Sequence, residues 1–163
     1  MGPLGKTARE IATSGLDVVL AIVTGRNQRL KDHLESLDWP VPVHIYGFTH
    51  DLPDFMRAAD VLVTKAGPGT IAESLNANLP MILYAKLPGQ EDGNVTFVLE
   101  EKVGVWAPKP KQVVQTLQEW VEKPEIRLKY VENCQHAARP DASRQIARAI
   151  GETLELIPEK VIV

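Results

Sequence analysis

Cysteine is nearly absent. Cys134 is the single one in 163 residues, so no internal disulfide forms and no pair of thiolates is available to a metal, a usage that fits a reducing compartment. Its expected role is helix packing. Long apolar runs are missing too. None approaches the roughly 18 residues that a membrane-spanning helix requires, and Met1-Gly2-Pro3-Leu4-Gly5-Lys6 does not lead into a signal-peptide core. A cytoplasmic location is therefore expected. Basic excess is lacking as well, with 18 Lys and Arg against 21 Asp and Glu and both signs interspersed. The formal net charge of -3 gives neither the footprint of a nucleic-acid binder nor a polybasic membrane patch. A small ligand or another protein suits this chain better.

Catalytic groups are equally sparse. His33, His44, His50 and His136 have no metal-ligand spacing, and Glu91 with Asp92 makes a poor cation cage, so no metal is expected. No serine or cysteine nucleophile has a convincing partner, and no close carboxylate pair can be placed. The composition suits binding more than cleavage. A chain of this length buries roughly two-thirds of its unfolded surface around one core, and a single domain over 1–157 with a tail at 158–163 is expected.

What is present is a regular alternation. A helix pattern ends near Ser14-Gly15, and Asp17 to Val23 follows, apolar on both faces as a strand in a helix-covered parallel sheet should be. Leu30, Leu34 and Leu37 give the next helix its face, and Trp39-Pro40-Val41-Pro42 stops it. Val43 to Tyr46 is a strand, Leu52 to Ala59 a short helix, and the run from Val61 a further strand leading to a helix over Thr70 to Asn78. Met81 to Ala85, a helix from Val95 to Glu101 and a strand from Gly104 to Ala107 complete the alternation. Helices are expected over Lys111 to Val121, Glu125 to Ala138 and Ala142 to Leu156. This order predicts an α/β fold, a doubly wound, Rossmann-like parallel sheet whose ligands bind beyond the strands' carboxyl ends. The loops that fall there are Thr24 to Asn27, Gly47 to Asp51, Thr64 to Thr70 and Lys86 to Asn94, and they are also the stretches richest in glycine and polar groups.

The Thr64 to Thr70 loop reads as an anion-binding elbow, because a strand breaking through glycines into a helix aims unpaired N–H groups and the positive helix end at one point. Gly67 and Gly69 allow close approach and unusual φ values, and Pro68 offers no N–H, so the donors are Gly67, Gly69 and Thr70. Gly67-Pro68-Gly69-Thr70-Ile71-Ala72 also matches the dinucleotide fingerprint, but that fingerprint belongs on the first strand. Glu73 either grips a ribose or closes a capping box with Thr70. Lys65, and Arg26 with Asn27, are phosphate or sugar contacts by position and solvated or turn residues by default. Gln90, Glu91 and Asn94 place several hydrogen-bonding groups in one loop, which suits a polyhydroxyl ligand. Trp106 and Trp120 are assigned to packing.

Thr64-Lys-Ala-Gly-Pro-Gly-Thr-Ile-Ala-Glu73, then Leu79-Pro80-Met81-Ile82-Leu83 and Pro88-Gly89-Gln90-Glu91-x-Gly93-Asn94, resembles the C-terminal, donor-binding half of glycosyltransferase family 28, nearest its monogalactosyldiacylglycerol synthase branch. Thr24-Gly25-Arg26-Asn27 and Gly47-Phe48 are weaker matches. The resemblance runs from about Gly2 to Leu154. It implies half of a GT-B glycosyltransferase holding a UDP-sugar, UDP-galactose or UDP-glucose, with no cofactor and no obligatory metal. Carried over, Gly67, Gly69 and Thr70 bind the diphosphate, Glu73 the ribose and Gln90 with Glu91 the hexose, while Phe48 lies by the uracil through its backbone. Arg26, Lys65 and Asn94 complete the expected site.

The resemblance also implies inverting transfer to a lipid acceptor such as diacylglycerol, with the general base on an N-terminal half. An acceptor-binding domain or subunit is the expected partner, with membrane contact only through it, and a homodimer is a further expectation. The family's first strand, central in the doubly wound order, is expected to be missing, leaving two unpaired edges, and Lys160-Val161-Ile162-Val163 is the segment expected to fill or cover that gap. Two other functions compete: a UDP-sugar-binding module without catalysis and, more weakly, a nicotinamide oxidoreductase.

Overall fold

The computed structural model describes residues 3–154. Thirteen elements follow in order: α1 Pro3–Ala12, β1 Leu20–Val23, α2 Gln28–Glu35, β2 Val43–Tyr46, α3 Leu52–Ala58, β3 Leu62–Lys65, α4 Pro68–Asn76, β4 Met81–Ala85, α5 Asp92–Glu100, β5 Gly104–Trp106, α6 Pro110–Glu122, α7 Pro124–Ala137 and α8 Ala142–Thr153. The expected alternation is present, and every strand pair is parallel.

β4 carries the core. Met81, Ile82 and Leu83 are fully buried, and because successive side chains point to opposite faces of a sheet, the strand feeds two hydrophobic layers at once. Met81 and Leu83 pack with Ile71, Leu75, Val95, Val98 and Cys134 on one side. Ile82 and Tyr84 pack with Ile11, Val113, Leu117 and Trp120 on the other. Trp120 does serve packing, 2% exposed and 4.8 Å from the Tyr130 ring. A third cluster, Ala8, Ile22 and Leu34, joins α1 and α2 to the β1–β2 pair.

The strands do not form one sheet. β1 pairs with β2, β3–β4–β5 form a second sheet, and among the described residues no ladder joins them. β1 donates from Leu20 to the Pro42 carbonyl and from Thr24 to the Tyr46 carbonyl, and β3 donates from Leu62 to the Pro80 carbonyl, so alternate backbone groups of both strands face away from their only partners. Among the described residues, the two unpaired edges expected from the sequence are thus observed. β1 is also shorter than the expected Asp17 to Val23: only Leu20–Val23 has a ladder, and Val19 is 66% exposed. The apolar run is longer than the pairing available to it. What spans the break is α1, because Leu4 and Leu20 belong to the apolar surroundings of both adjoining clusters. The proposed cover, Lys160 to Val163, lies outside the described residues.

Backbone details set the element ends. α4 begins at Pro68, two residues before the expected Thr70, because Gly67 is its N-cap and proline suits the first helical position. It ends short of Asn78, which takes the left-handed conformation at φ 56°, and buried Ser74 closes the turn by donating to the Leu79 carbonyl at 2.6 Å. No helix of the described residues is long and apolar enough to cross a membrane.

Two predictions follow from this packing. A Cβ on buried Gly104 would be driven into the Met81 backbone, closer than real Cβ atoms approach, so Gly104→Ala is expected to cost about 1–3 kcal/mol in urea unfolding. Burial pushes the Cys134 thiol up to about 12, so the native state favours the neutral thiol. Its contribution to stability is present below the ordinary thiol value and is lost as pH rises through the shifted one. Disulfide-reagent labelling near pH 8 should therefore stay far slower in the native state than in urea.

Candidate functional site

The elbow between β3 and α4 forms as the sequence requires. A register shift between Thr64 and Lys65 interrupts the ladder, and Ala66, fully buried, donates to the Ala85 carbonyl at 2.9 Å. The first helical bond of α4 runs from Ile71 N–H to the Gly67 carbonyl at 3.0 Å. Gly69 and Thr70 therefore present backbone N–H groups for which no acceptor exists among the described residues, and no side chain caps the helix. Unpaired donors at a helix N-terminus are a place for an anion. Of the two properties expected of the glycines, the unusual φ values are not used: neither takes a positive φ, and a Cβ on Gly69 would meet nothing within 4 Å. The chain turns without them, and their contribution is uncovered backbone.

The capping-box reading of Thr70 and Glu73 is overturned. With Gly67 as N-cap, Thr70 is already the third helical residue and Glu73 lies a turn further on, too far along to close a box. Glu73 is exposed and its carboxylate takes no hydrogen bond or ion pair among the described residues. Lys65 is also exposed, without an ion pair among those residues.

Asn94 links this elbow to the next loop. Its Nδ2 donates to the Ala66 carbonyl at 2.8 Å, so its amide supports the elbow. The Lys86 to Glu91 loop folds back on itself. Glu91 Oε2 accepts from Leu87 N–H at 2.7 Å, and Asp92 Oδ2 accepts from Gly89 N–H at 2.8 Å. Lys86 forms an ion pair with Asp92 and sits 5.5 Å from the Trp106 ring centre. Asp92 is held below the usual carboxylate range, first by the Lys86 hydrogen bond and then by Gly89 N–H. Gln90 is exposed. In the sequence Asp92 stands out only as half of a poor cation cage and Lys86 only as a loop residue; an acidic residue in the first turn of a helix, three residues past a glycine, was the available signal for their pairing.

A second group forms at the ends of β1 and β2. The Arg26 guanidinium lies 5.2 Å from the Phe48 ring centre, and His50 meets that ring edge-on at 5.1 Å. Phe48 is 58% exposed, a large apolar surface left in solvent beside a cation. Asn27 takes its bland role, its Oδ1 accepting from Leu30 N–H at 3.0 Å to cap α2. No hydrogen bond, ion pair or ring contact joins this group to the elbow among the described residues. Nor do those residues gather three or more His, Cys, Asp or Glu side chains in a metal-holding arrangement.

Parallel strands with helices on both faces and glycine loops at their carboxyl ends define an α/β domain of the doubly wound class, and solved structures narrow the fold. The chain superposes on MurG of Acinetobacter baumannii with TM-score 0.70 at 19% identity, covering 93% of this chain and 47% of that one. It superposes on the glycotransferase of kitacinnamycin with TM-score 0.63 at 21% identity, covering 91% and 39%. The fold is that of the C-terminal half of GT-B glycosyltransferases.

The sequence profile of the glycosyltransferase family 28 C-terminal domain matches residues 5–146, and the chain belongs to that family. It is 36% identical over 171 residues to the chloroplastic monogalactosyldiacylglycerol synthase of Spinacia oleracea, covering 100% of this chain and 32% of that protein. To monogalactosyldiacylglycerol synthase 2 of Arabidopsis thaliana, also chloroplastic, it is 37% identical over 163 residues, covering 95% and 35%. The chain thus spans about a third of the length of these relatives.

The Asn94 bond generates a check on this geometry. Asn94→Ala leaves the Ala66 carbonyl without its side-chain donor, and a loss of about 0.5–1.5 kcal/mol is expected from chemical denaturation.

Proposed function

We propose that this domain binds the nucleotide-sugar donor of a family 28 glycosyltransferase, a UDP-hexose that is UDP-galactose or UDP-glucose, and that the hexose passes to a lipid acceptor such as diacylglycerol. The observation that carries this reading is the elbow, where Gly69 and Thr70 offer two N–H groups unpaired among the described residues at the start of α4, while the Glu73 carboxylate stands one turn further on without a bond among those residues. Gly67, Gly69 and Thr70 hold the diphosphate, with Lys65 and Arg26 as counter-charges. Glu73 accepts from the ribose hydroxyls. Gln90 and Glu91 face the hexose, and Asn94 keeps the loop that carries them against the elbow. Phe48 lies by the uracil.

The chemistry asks little covalent work of this half. An acceptor hydroxyl attacks the anomeric carbon with inversion as the diphosphate leaves, and the negative charge gathering on the diphosphate is stabilised by donors already aimed at it. The general base and the acceptor pocket belong to an acceptor-binding domain or subunit, which is the proposed partner. The names of the relatives, synthases of a galactolipid, support the choice of a hexose and a diacylglycerol acceptor. Galactose and glucose differ at one stereocentre, and both remain within the proposal.

Calorimetric titration with UDP, UDP-galactose, UDP-glucose and NAD tests it. Saturable binding of UDP and a UDP-hexose without NAD binding is expected, and binding of NAD alone would defeat the reading in favour of an oxidoreductase. Glu73→Gln should weaken UDP about tenfold, as expected for losing the charge from a charge-assisted hydrogen bond, while its unfolding midpoint stays unchanged, because the carboxylate makes no bond among the described residues.

A further inference from the structure

The loop that leaves β4 is closed by its own bonds. The Leu87 carbonyl accepts from Gln90 N–H at 3.2 Å and from Glu91 N–H at 2.9 Å, while Leu87 N–H donates to the Glu91 carboxylate. Gly89, in the left-handed region at φ 80°, donates to one oxygen of Asp92. The other oxygen of Asp92 holds Lys86, and the Lys86 ammonium rests over Trp106 on β5. Gln90 projects from the middle of this closed turn into solvent.

We propose that Lys86 and Asp92 are positioning residues for the sugar: their clamp, anchored on Trp106, presets the Leu87 to Glu91 loop so that the hexose of the donor meets an ordered Gln90 and Glu91. The inference rests on the nucleotide-sugar reading above and adds to it two residues that never touch the ligand. The pair itself is a poor candidate for holding the fold together. Its side chains are 32% and 54% exposed, and exposed ion pairs contribute little to global stability. A short loop containing a left-handed glycine, in contrast, has many alternative conformations, and freezing them on binding costs affinity unless the loop is already ordered.

The nucleotide end of the site is independent of the clamp. The elbow is held by Ala66 N–H on the Ala85 carbonyl and by Asn94 on the Ala66 carbonyl, neither of which involves Lys86 or Asp92. Loosening the clamp therefore weakens the grip on the sugar and leaves the grip on the nucleotide. That selectivity separates positioning from a general structural role.

The experiment is calorimetry with UDP, UDP-galactose and UDP-glucose on the unmodified chain, Asp92→Ala, Lys86→Met and Lys86→Arg, with far-UV circular dichroism to confirm folding. In Asp92→Ala and Lys86→Met, affinity for the preferred UDP-hexose is expected to fall about three- to tenfold while that for UDP stays within about twofold. Lys86→Arg, which keeps the charge and the aromatic contact, should retain most of the hexose affinity. Should Asp92→Ala fail to fold, Lys86→Met decides. Equal weakening of UDP and UDP-hexose, or no weakening of either, overturns the clamp, as does an unmodified chain that binds the UDP-hexose no more tightly than UDP. An unmodified chain that binds neither overturns the nucleotide-sugar reading and the clamp's role with it.

Discussion

The packing of α1 across two sheets is the contact on which the rest of this domain depends. Hydrogen bonding cannot set the orientation of the β1–β2 pair against β3–β4–β5, because no ladder crosses between them among the described residues. Side chains must do so. Ala8 sits with Ile22 and Leu34 under the smaller sheet, Ile11 sits with Ile82 and Trp120 under the larger one, and Leu4 borders both. Backbone bonding is directional and fixes strand register, whereas apolar burial is non-directional and roughly proportional to area. One half of the candidate site, Arg26 and Phe48, is therefore tied to the other by a softer constraint than the one holding the elbow to its own strands.

Much of this architecture was legible in the residues, for reasons that differ from element to element. Met81 to Ala85 is apolar at every position and bounded by Pro80 and Lys86, and the strand has the expected limits. Val43 to Tyr46, set off by Pro42 and Gly47, does as well. Asp17 to Val23 misled because apolar composition says nothing of whether a neighbour is present to pair with or to cover it; only the residues beside β2 form a ladder, and Val19 is left exposed. Helix starts were missed by two or three residues at Pro68 and Asp92, where proline or glycine in the first turn reads as loop until the backbone is seen to be helical.

The candidate site was legible as a set of loops and less so as a set of roles. Position at the strands' carboxyl ends picked out Arg26, Lys65 and the elbow without any knowledge of contacts, and Phe48 came from the family resemblance alone. Deciding between a ligand and a structural duty for each polar group needed geometry. Asn27 and Asn94, similar on paper, both turn out to support the backbone, while Glu73, for which a structural duty was an even contender, has none among the described residues. Asp92 illustrates the converse. As half of an acidic pair it suggests at most a weak cation cage, yet its two oxygens are already used by a lysine and a backbone N–H within its own loop.

The same loop has a consequence for how such a domain diversifies. Residues 86 to 92 close on one another through bonds within the turn, and they meet the layers beneath where Lys86 rests on Trp106 and where the Glu91 carbonyl accepts from Val95 N–H at the start of α5. Lys86, Gly89, Glu91 and Asp92 are all committed to closing the turn, so change that spares β4 and α5 is confined to side chains outside those bonds, such as the exposed Gln90.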